Sequence, residues 1–266
     1  MKILLFSLTF SFIFLFFSGS LSAFQQKKIL MTILYDNYVA QEGVEADWGF
    51  SCLIEGMEKT ILFDTGTKSD LFFRNVEALK VDLNSVELVV ISHDHYDHTG
   101  SLVPFLKKKS DVSVYLLTSF RDVLFQEVKE TGAKIVSVQG PVEICKNVHT
   151  TGEMGAQIKE QTLILDTSQG LVVITGCAHP GIVDIVKKAK QVINKDINLV
   201  FGGFHLNQTP AAQVKDIIAD FRKLGVQKVG ATHCTGDAAI QMFREEWGKN
   251  FVELGVGRKI FITPHE

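Results

Sequence analysis

The sequence predicts an α/β layered domain. Two observations carry that expectation. Short segments rich in Val, Ile and Leu alternate with amphipathic helical patterns, and four of the apolar segments run directly into histidine. A chain of 266 residues, 46% hydrophobic and 21% charged, buries ample core and is unlike a disordered chain. Acids outnumber bases, 30 against 27. The basic surplus of a phosphate-backbone binder is missing, and no nucleic-acid partner is expected.

Strands are expected at 60–63, 86–91, 112–117, 162–165, 171–174, 197–201 and 226–231, each bounded by Gly, Asp, Asn or Thr. Helices are expected at 70–79, 119–131, 181–193, 210–224 and 238–247. In 210–224, Val214, Ile217, Ile218, Phe221 and Leu224 share one face. Thr209 is placed to cap this helix, Pro210 suits its first turn, and Gly225 ends it. Strand and helix in turn imply stacked layers. No linker, repeat or low-complexity tract interrupts the pattern, so one domain is expected over 24–266.

The first 23 residues read differently. Lys2 precedes an apolar run over 3–17, and small residues over 18–23 end in a plausible cleavage site at Ala23. This is the pattern of a secretory signal peptide, and the run is short of the ~20 residues that span hydrocarbon. An uncleaved anchor is the alternative. The mature chain is expected to be exported, periplasmic or secreted, with no stable membrane insertion. That compartment permits disulfides; among Cys52, Cys145, Cys177 and Cys234, one bridge is possible.

The chemistry concentrates in His93-Asp94-His95-Tyr96-Asp97-His98, directly after the 86–91 segment. His93 and His95, two apart, face the same way at a strand end and can chelate one ion. Asp97 and His98 follow where the chain turns and can address a second. Imidazoles suit Zn²⁺ or Fe²⁺, and a carboxylate with an imidazole suits Zn, Fe or Mn. Three more apolar segments lead into Cys177 and His179, into His205, and into His233 and Cys234. Six of the eight histidines thus share the strand C-terminal edge, where α/β sheets gather ligands.

The His-x-His-x-Asp-His signature, with Asp64-Thr65-Gly66 before it and His233 near the end, resembles the metallo-β-lactamase superfamily. The phrases TGCAHPG (175–181), GGFHL (202–206) and THCTG (232–236) resemble more narrowly the branch containing archaeal dihydropterin-linked aminobenzene phosphate synthase. The resemblance implies an αβ/βα sandwich, two mixed sheets face to face with helices outside, and a dinuclear metal site at one rim. By position, His93, His95 and His179 would hold the first metal, and Asp97, His98 and His233 the second. Cys177 stands where many members place a bridging Asp; it either ligates or bridges, or is an inert buried residue. Asp64 would orient the signature loop from behind the ligands, or simply form a turn. His205 is a ligand or, preferably, a substrate contact.

The implied cofactors are two divalent ions, zinc first, with manganese or iron as alternatives. The expected reaction is hydrolysis of an ester, amide or phosphoester by metal-bound hydroxide, with Asp97 and His205 in catalytic roles. The expected substrate is a small anionic molecule, because helix starts near Gly181 and Thr235 offer free N–H groups. The other classes are an iron-containing redox or sulfur- and oxygen-handling protein, and a non-catalytic metal binder. Tyr35, Asp36, Asn37 and Trp48 are placed at the substrate mouth from loop position alone.

Overall fold

The computed structural model describes residues 28–265; the expected signal peptide lies outside the described residues. Strands are numbered along the chain. The first sheet contains β1 (Ile29–Tyr35), β2 (Ser51–Glu55), β3 (Ile61–Phe63), β4 (Leu88–Val90), β5 (Ser113–Leu117), β6 (Lys134–Val138) and the late β13 (Lys259–Ile262). Their spatial order is β13-β1-β2-β3-β4-β5-β6. The second sheet contains β7 (Val142–Cys145), β8 (Val148–Thr150), β9 (Leu163–Thr167), β10 (Gly170–Thr175), β11 (Ile197–Gly203) and β12 (Lys228–Thr232), in the order β12-β11-β10-β9-β8-β7. Both sheets are mixed: β3 to β6 run parallel, as do β10 to β12, and the remaining pairs are antiparallel.

Strands covered on both faces need apolar side chains on both, and these strands have them. In β10, Val172 and Ile174 point between the sheets, where they meet Ile33, Phe63 and Val90 of the first sheet. Leu171 and Val173 point outward against α5 (Ile182–Val192), which buries Ile182, Ile185 and Val186 there. The helices α6 (Ala211–Lys223) and α7 (Asp237–Trp247) complete that outer layer through Val214, Phe221, Phe243 and Trp247. On the opposite side, α1 (Ser69–Ala78), α3 (Leu102–Lys108) and α4 (Asp122–Glu130) bury Phe72, Phe105 and Leu124 against Leu62, Val89 and Val114. The result is the four-layer αβ/βα sandwich that the resemblance to the superfamily implies. Among the described residues, no helix is long and apolar enough to cross a membrane.

Two local expectations are corrected. Thr209 does not cap α6: the cap position is Pro210, with no side-chain cap bond, and the Thr209 N–H donates to Leu206 O instead. No disulfide forms, since all four cysteines are free thiols. The end of α6 is as expected, with Gly225 at φ 77° and its N–H returned to Arg222 O.

The parallel registers position the site. Thr175 pairs with Gly202 and Gly203 with Thr232, so β10, β11 and β12 end side by side. Phe63 pairs with Val90, which places Asp64 beside the segment leading to His93. The short helix α2 (Tyr96–Thr99) is locked to the turn after β3, because Thr65 donates to His98 O from both its N–H and its hydroxyl. Gly100 ends α2 where a Cβ would lie 1.9 Å from Thr67 O. Gly100→Ala should therefore push this turn away and cost about 2 kcal/mol, a fall of roughly 4–8 °C in the thermal midpoint, checked by calorimetry of both proteins under the same conditions.

Candidate metal centre

Asp64 follows β3 in a left-handed conformation, φ 55°, with its carboxylate fully buried. Oδ1 accepts the Ser92 N–H at 2.7 Å; Oδ2 accepts the Ser92 hydroxyl and His98 Nδ1, each at 2.7 Å. Having donated its only proton to Asp64, Ser92 Oγ must accept from His93 Nδ1 at 2.9 Å. One carboxylate thereby fixes the ring orientation of two histidines and leaves both Nε2 atoms facing inward. On the other side, His233 Nδ1 lies 2.9 Å from Asn37 Oδ1, an acceptor only, so its Nε2 also faces inward.

Two donor sets result. His93, His95 and His179 bring three ring nitrogens within 4.8 Å of one another, and Asp97, His98, Cys177 and His233 bring four donors within the same limit. His93 Nε2 and His95 Nδ1 are 3.1 Å apart. His179 Nε2 is buried with no hydrogen-bond partner among the described residues, an orphan that a cation would satisfy. In the four-donor set, Cys177 Sγ lies 3.3 Å from His98 Nε2 and 3.4 Å from His233 Nε2. Asp97 Oδ2 lies 3.6 and 3.4 Å from the same two nitrogens. A tetrahedral ion bonded at usual lengths separates such donors by about 3.3–3.6 Å. The residues present fit metal ions at both sets.

The electrostatics of the two sets differ. Burial, with the surrounding imidazoles, pushes His93 far below the usual histidine range; burial also lowers His95 and takes His179 down to about 4. All three are neutral at physiological pH. Although burial opposes it, Asp64 raises His98 to about 9. Although burial again opposes it, the facing His233 and His98 rings hold the Asp97 carboxyl well below its ordinary range. Burial drives the Cys177 thiol well up. At pH 7.5 the three-histidine set should take an ion without losing protons, whereas the four-donor set must shed those of His98 and Cys177. Raising the pH from 7 to 8 should then strengthen binding of the second ion up to ~100-fold and leave the first unchanged. Calorimetric titration of metal-free protein in two buffers of different ionisation heat checks this.

Other expected residues fall as follows. His205 is exposed at the mouth, its ring centroid 4.3 Å from that of His179. Trp48 stands at the rim, donates from Nε1 to Asp97 Oδ2 at 2.8 Å and packs on His233 at 5.0 Å. Tyr35 and Asp36 are buried rather than lining the mouth; Asp36 accepts from the Thr232 hydroxyl behind β12. Thr235 is a correction too. It is fully buried, and its hydroxyl donates to Thr232 O and accepts the Phe204 N–H, so it stitches two strand ends together and is closed to a substrate. Gly181 opens α5 at φ 96°, but its N–H is spent on Ala178 O and Asp184 brings a carboxylate to the same turn.

Glu160 has no counterpart in the sequence reading. It is fully buried and accepts three backbone N–H groups: Cys177 at 3.0 Å and Ala178 at 2.8 Å on Oε1, His179 at 2.8 Å on Oε2. Ala178 within this loop sits at φ 63°, a conformation costly for a residue with a Cβ. Burial raises Glu160 to about 7. Its neighbour Gln161 donates to Ile91 O and Tyr115 O from Nε2 and, through its N–H, to Ser92 O. The pair ties the His179 loop to the His93 segment. Glu160→Gln must turn an amide NH₂ towards one of three donors; we expect a ~10–100-fold loss of affinity for the first ion, read by competition with a chromogenic chelator.

The fold and the two donor sets define a metal-binding α/β sandwich, and comparison with known proteins gives the family. Residues 49–179 match the model of the metallo-beta-lactamase superfamily, and the chain belongs to that superfamily. A solved metal-dependent hydrolase of the β-lactamase superfamily, Tm1679, is 32% identical, with a TM-score of 0.76 over 88% of this chain and 99% of its own. The chain is also similar to a 7,8-dihydropterin-6-methyl-4-(β-D-ribofuranosyl)-aminobenzene-5′-phosphate synthase from Methanocaldococcus jannaschii, 29% identical over 80% of this chain and 89% of that protein. The metallo-β-lactamase-fold protein YhfI from Bacillus subtilis shares the fold at 13% identity, with a TM-score of 0.62 over 88% of this chain and 99% of its own.

Proposed function

We propose that the protein is a metal-dependent hydrolase that cleaves an ester, amide or phosphoester bond of a small molecule at a dinuclear centre. One observation carries the reading: a set of three neutral histidines adjoins a set of four donors. Three protein ligands are the mark of an ion with a place left for water or substrate, and four that of an ion more fully held. Divalent ions held by these two sets would supply an activated water and polarise the bond to be cut. The Cys177 sulfur favours zinc or iron over manganese in the four-donor set.

The chain's own residues perform the positioning. Asp64 and Asn37 aim the imidazoles, and Trp48 holds the Asp97 carboxylate. His205 is placed at the mouth to touch the substrate. Its interaction with Cys234, opposed by burial, raises its pKa, which suits it to meet negative charge on substrate or leaving group. A cleft of about 230 Å³ beside it is lined by His179, Ile182, Val183, Phe204 and Leu206. This lining favours a substrate with an apolar group next to the scissile bond, its anionic group directed to His205 rather than to the start of α5. On the composition of residues 1–23, we read the enzyme as exported.

Asp97→Ala should lower kcat/KM by at least ~10³-fold, about 4 kcal/mol of transition-state stabilisation, while far-UV circular dichroism stays unchanged. A panel of aryl esters and phosphodiesters, assayed with metal-loaded and chelator-stripped protein, makes the measurement. Full turnover by the variant or by the stripped enzyme would exclude the proposed centre.

A further inference from the structure

The sulfur of Cys177 belongs to a second cluster as well. Cys177 Sγ, Cys234 Sγ and a ring nitrogen of His205 lie within 4.8 Å of one another. The two cysteines are buried, at 3% and 2% exposure, and His205 faces solvent. Cys234 comes from the turn after β12 and approaches Cys177 O at 3.5 Å. β11 leaves room for it: a Cβ on Gly203 would stand 2.7 Å from Cys234 Sγ. Neither the three-histidine set nor the four-donor set uses Cys234.

We propose that Cys177, Cys234 and His205 form a third cation position that shares the Cys177 sulfur with the second and takes a soft monovalent ion of the Cu⁺ class. The donor types select for softness, since two sulfurs and an imidazole with no carboxylate suit thiophilic ions and hold hard ones weakly. The charge is selected by the neighbours. This rests on the proposed function in one respect: the second divalent ion already engages the negative charge of Cys177. Cys234 then adds one negative charge, which balances one positive charge and no more. A third dication within a few ångströms of the other two would meet strong, uncompensated repulsion. An ion enters from the side of His205, and the second nitrogen of that ring stays available to the cleft.

The test uses whole protein loaded with Zn²⁺ and titrated with Cu⁺ without oxygen, in the presence of a chromogenic Cu⁺ chelator. Wild type should take up one Cu⁺ per chain and keep its zinc, measured by elemental mass spectrometry. X-ray absorption at the copper edge should show two sulfurs and one imidazole nitrogen. Cys234→Ser and His205→Ala should each weaken this uptake at least ~10-fold, while Cys145 and Cys52 remain constant across the series. Uptake equal in wild type and both variants, uptake that expels zinc, or a copper edge without two sulfurs would overturn the proposal. Should Cys234→Ser fail to fold, the exposed His205→Ala and the wild-type spectrum still decide. Protein that binds no zinc at all would defeat the dinuclear reading alone, because the copper ligand count is read independently of it.

Discussion

The buried carboxylate of Asp64 is the constraint on which the rest of the centre depends. It serves both donor sets at once, His98 directly and His93 through Ser92. Because a carboxylate only accepts, every proton in this chain of hydrogen bonds has a fixed direction, and both Nε2 atoms are presented to the same cavity. A buried charge of this kind is expensive without partners. Asp64 has three donors at 2.7 Å, which offset the cost and make the arrangement rigid. The left-handed backbone at Asp64 is held by the same three bonds.

Strain recurs around the rim. Of the non-glycine residues with positive φ, Asp64, Ala178, His205 and His233 all lie in the loops of the centre. Each loop leaves a parallel strand and must reverse within one to three residues so that its side chain returns over the sheet edge. The twisted sheets cannot relax to relieve this, because both faces are covered by apolar layers. The polar clamps therefore sit next to the strained residues: Glu160 beneath Ala178, Asn37 behind His233, Thr235 between the ends of β11 and β12. The scaffold holds the donors in place before any ion arrives, so binding requires little further ordering.

The central strands and five of the outer helices were legible as apolar segments and amphipathic periods, because burial on both faces leaves a continuous Val, Ile and Leu record. The strands outside that record were harder to read. β1, over ILMTILY, has too much apolar character for periodicity to separate strand from helix. β6 is partly exposed, and β7 and β8 are only 4 and 3 residues long. The histidines were readable because each follows an apolar run. Glu160 was not, since an acid between Lys159 and Gln161 looks like any solvated charge. The only hint was that the polar pair directly precedes the buried TLIL run. The N–H groups that hold it come from a loop 17–19 residues further on, beyond the hairpin of β9 and β10. Thr235 misled for a related reason: its position before a helix suggested a free group, but the neighbouring strand end consumes its hydroxyl.

Cys177 changes the chemistry of the four-donor set more than its geometry. A carboxylate placed there would offer two oxygens to two ions, and a sulfur offers one larger, softer atom. Its 3.3 and 3.4 Å contacts to His98 and His233 place it within the four-donor set. The sulfur also faces Cys234, which no carboxylate could do without repelling a thiolate. The exchange of oxygen for sulfur therefore draws the second cluster towards the first, and one substitution in a strand-end loop links the hard, histidine-rich half of the rim to its soft half.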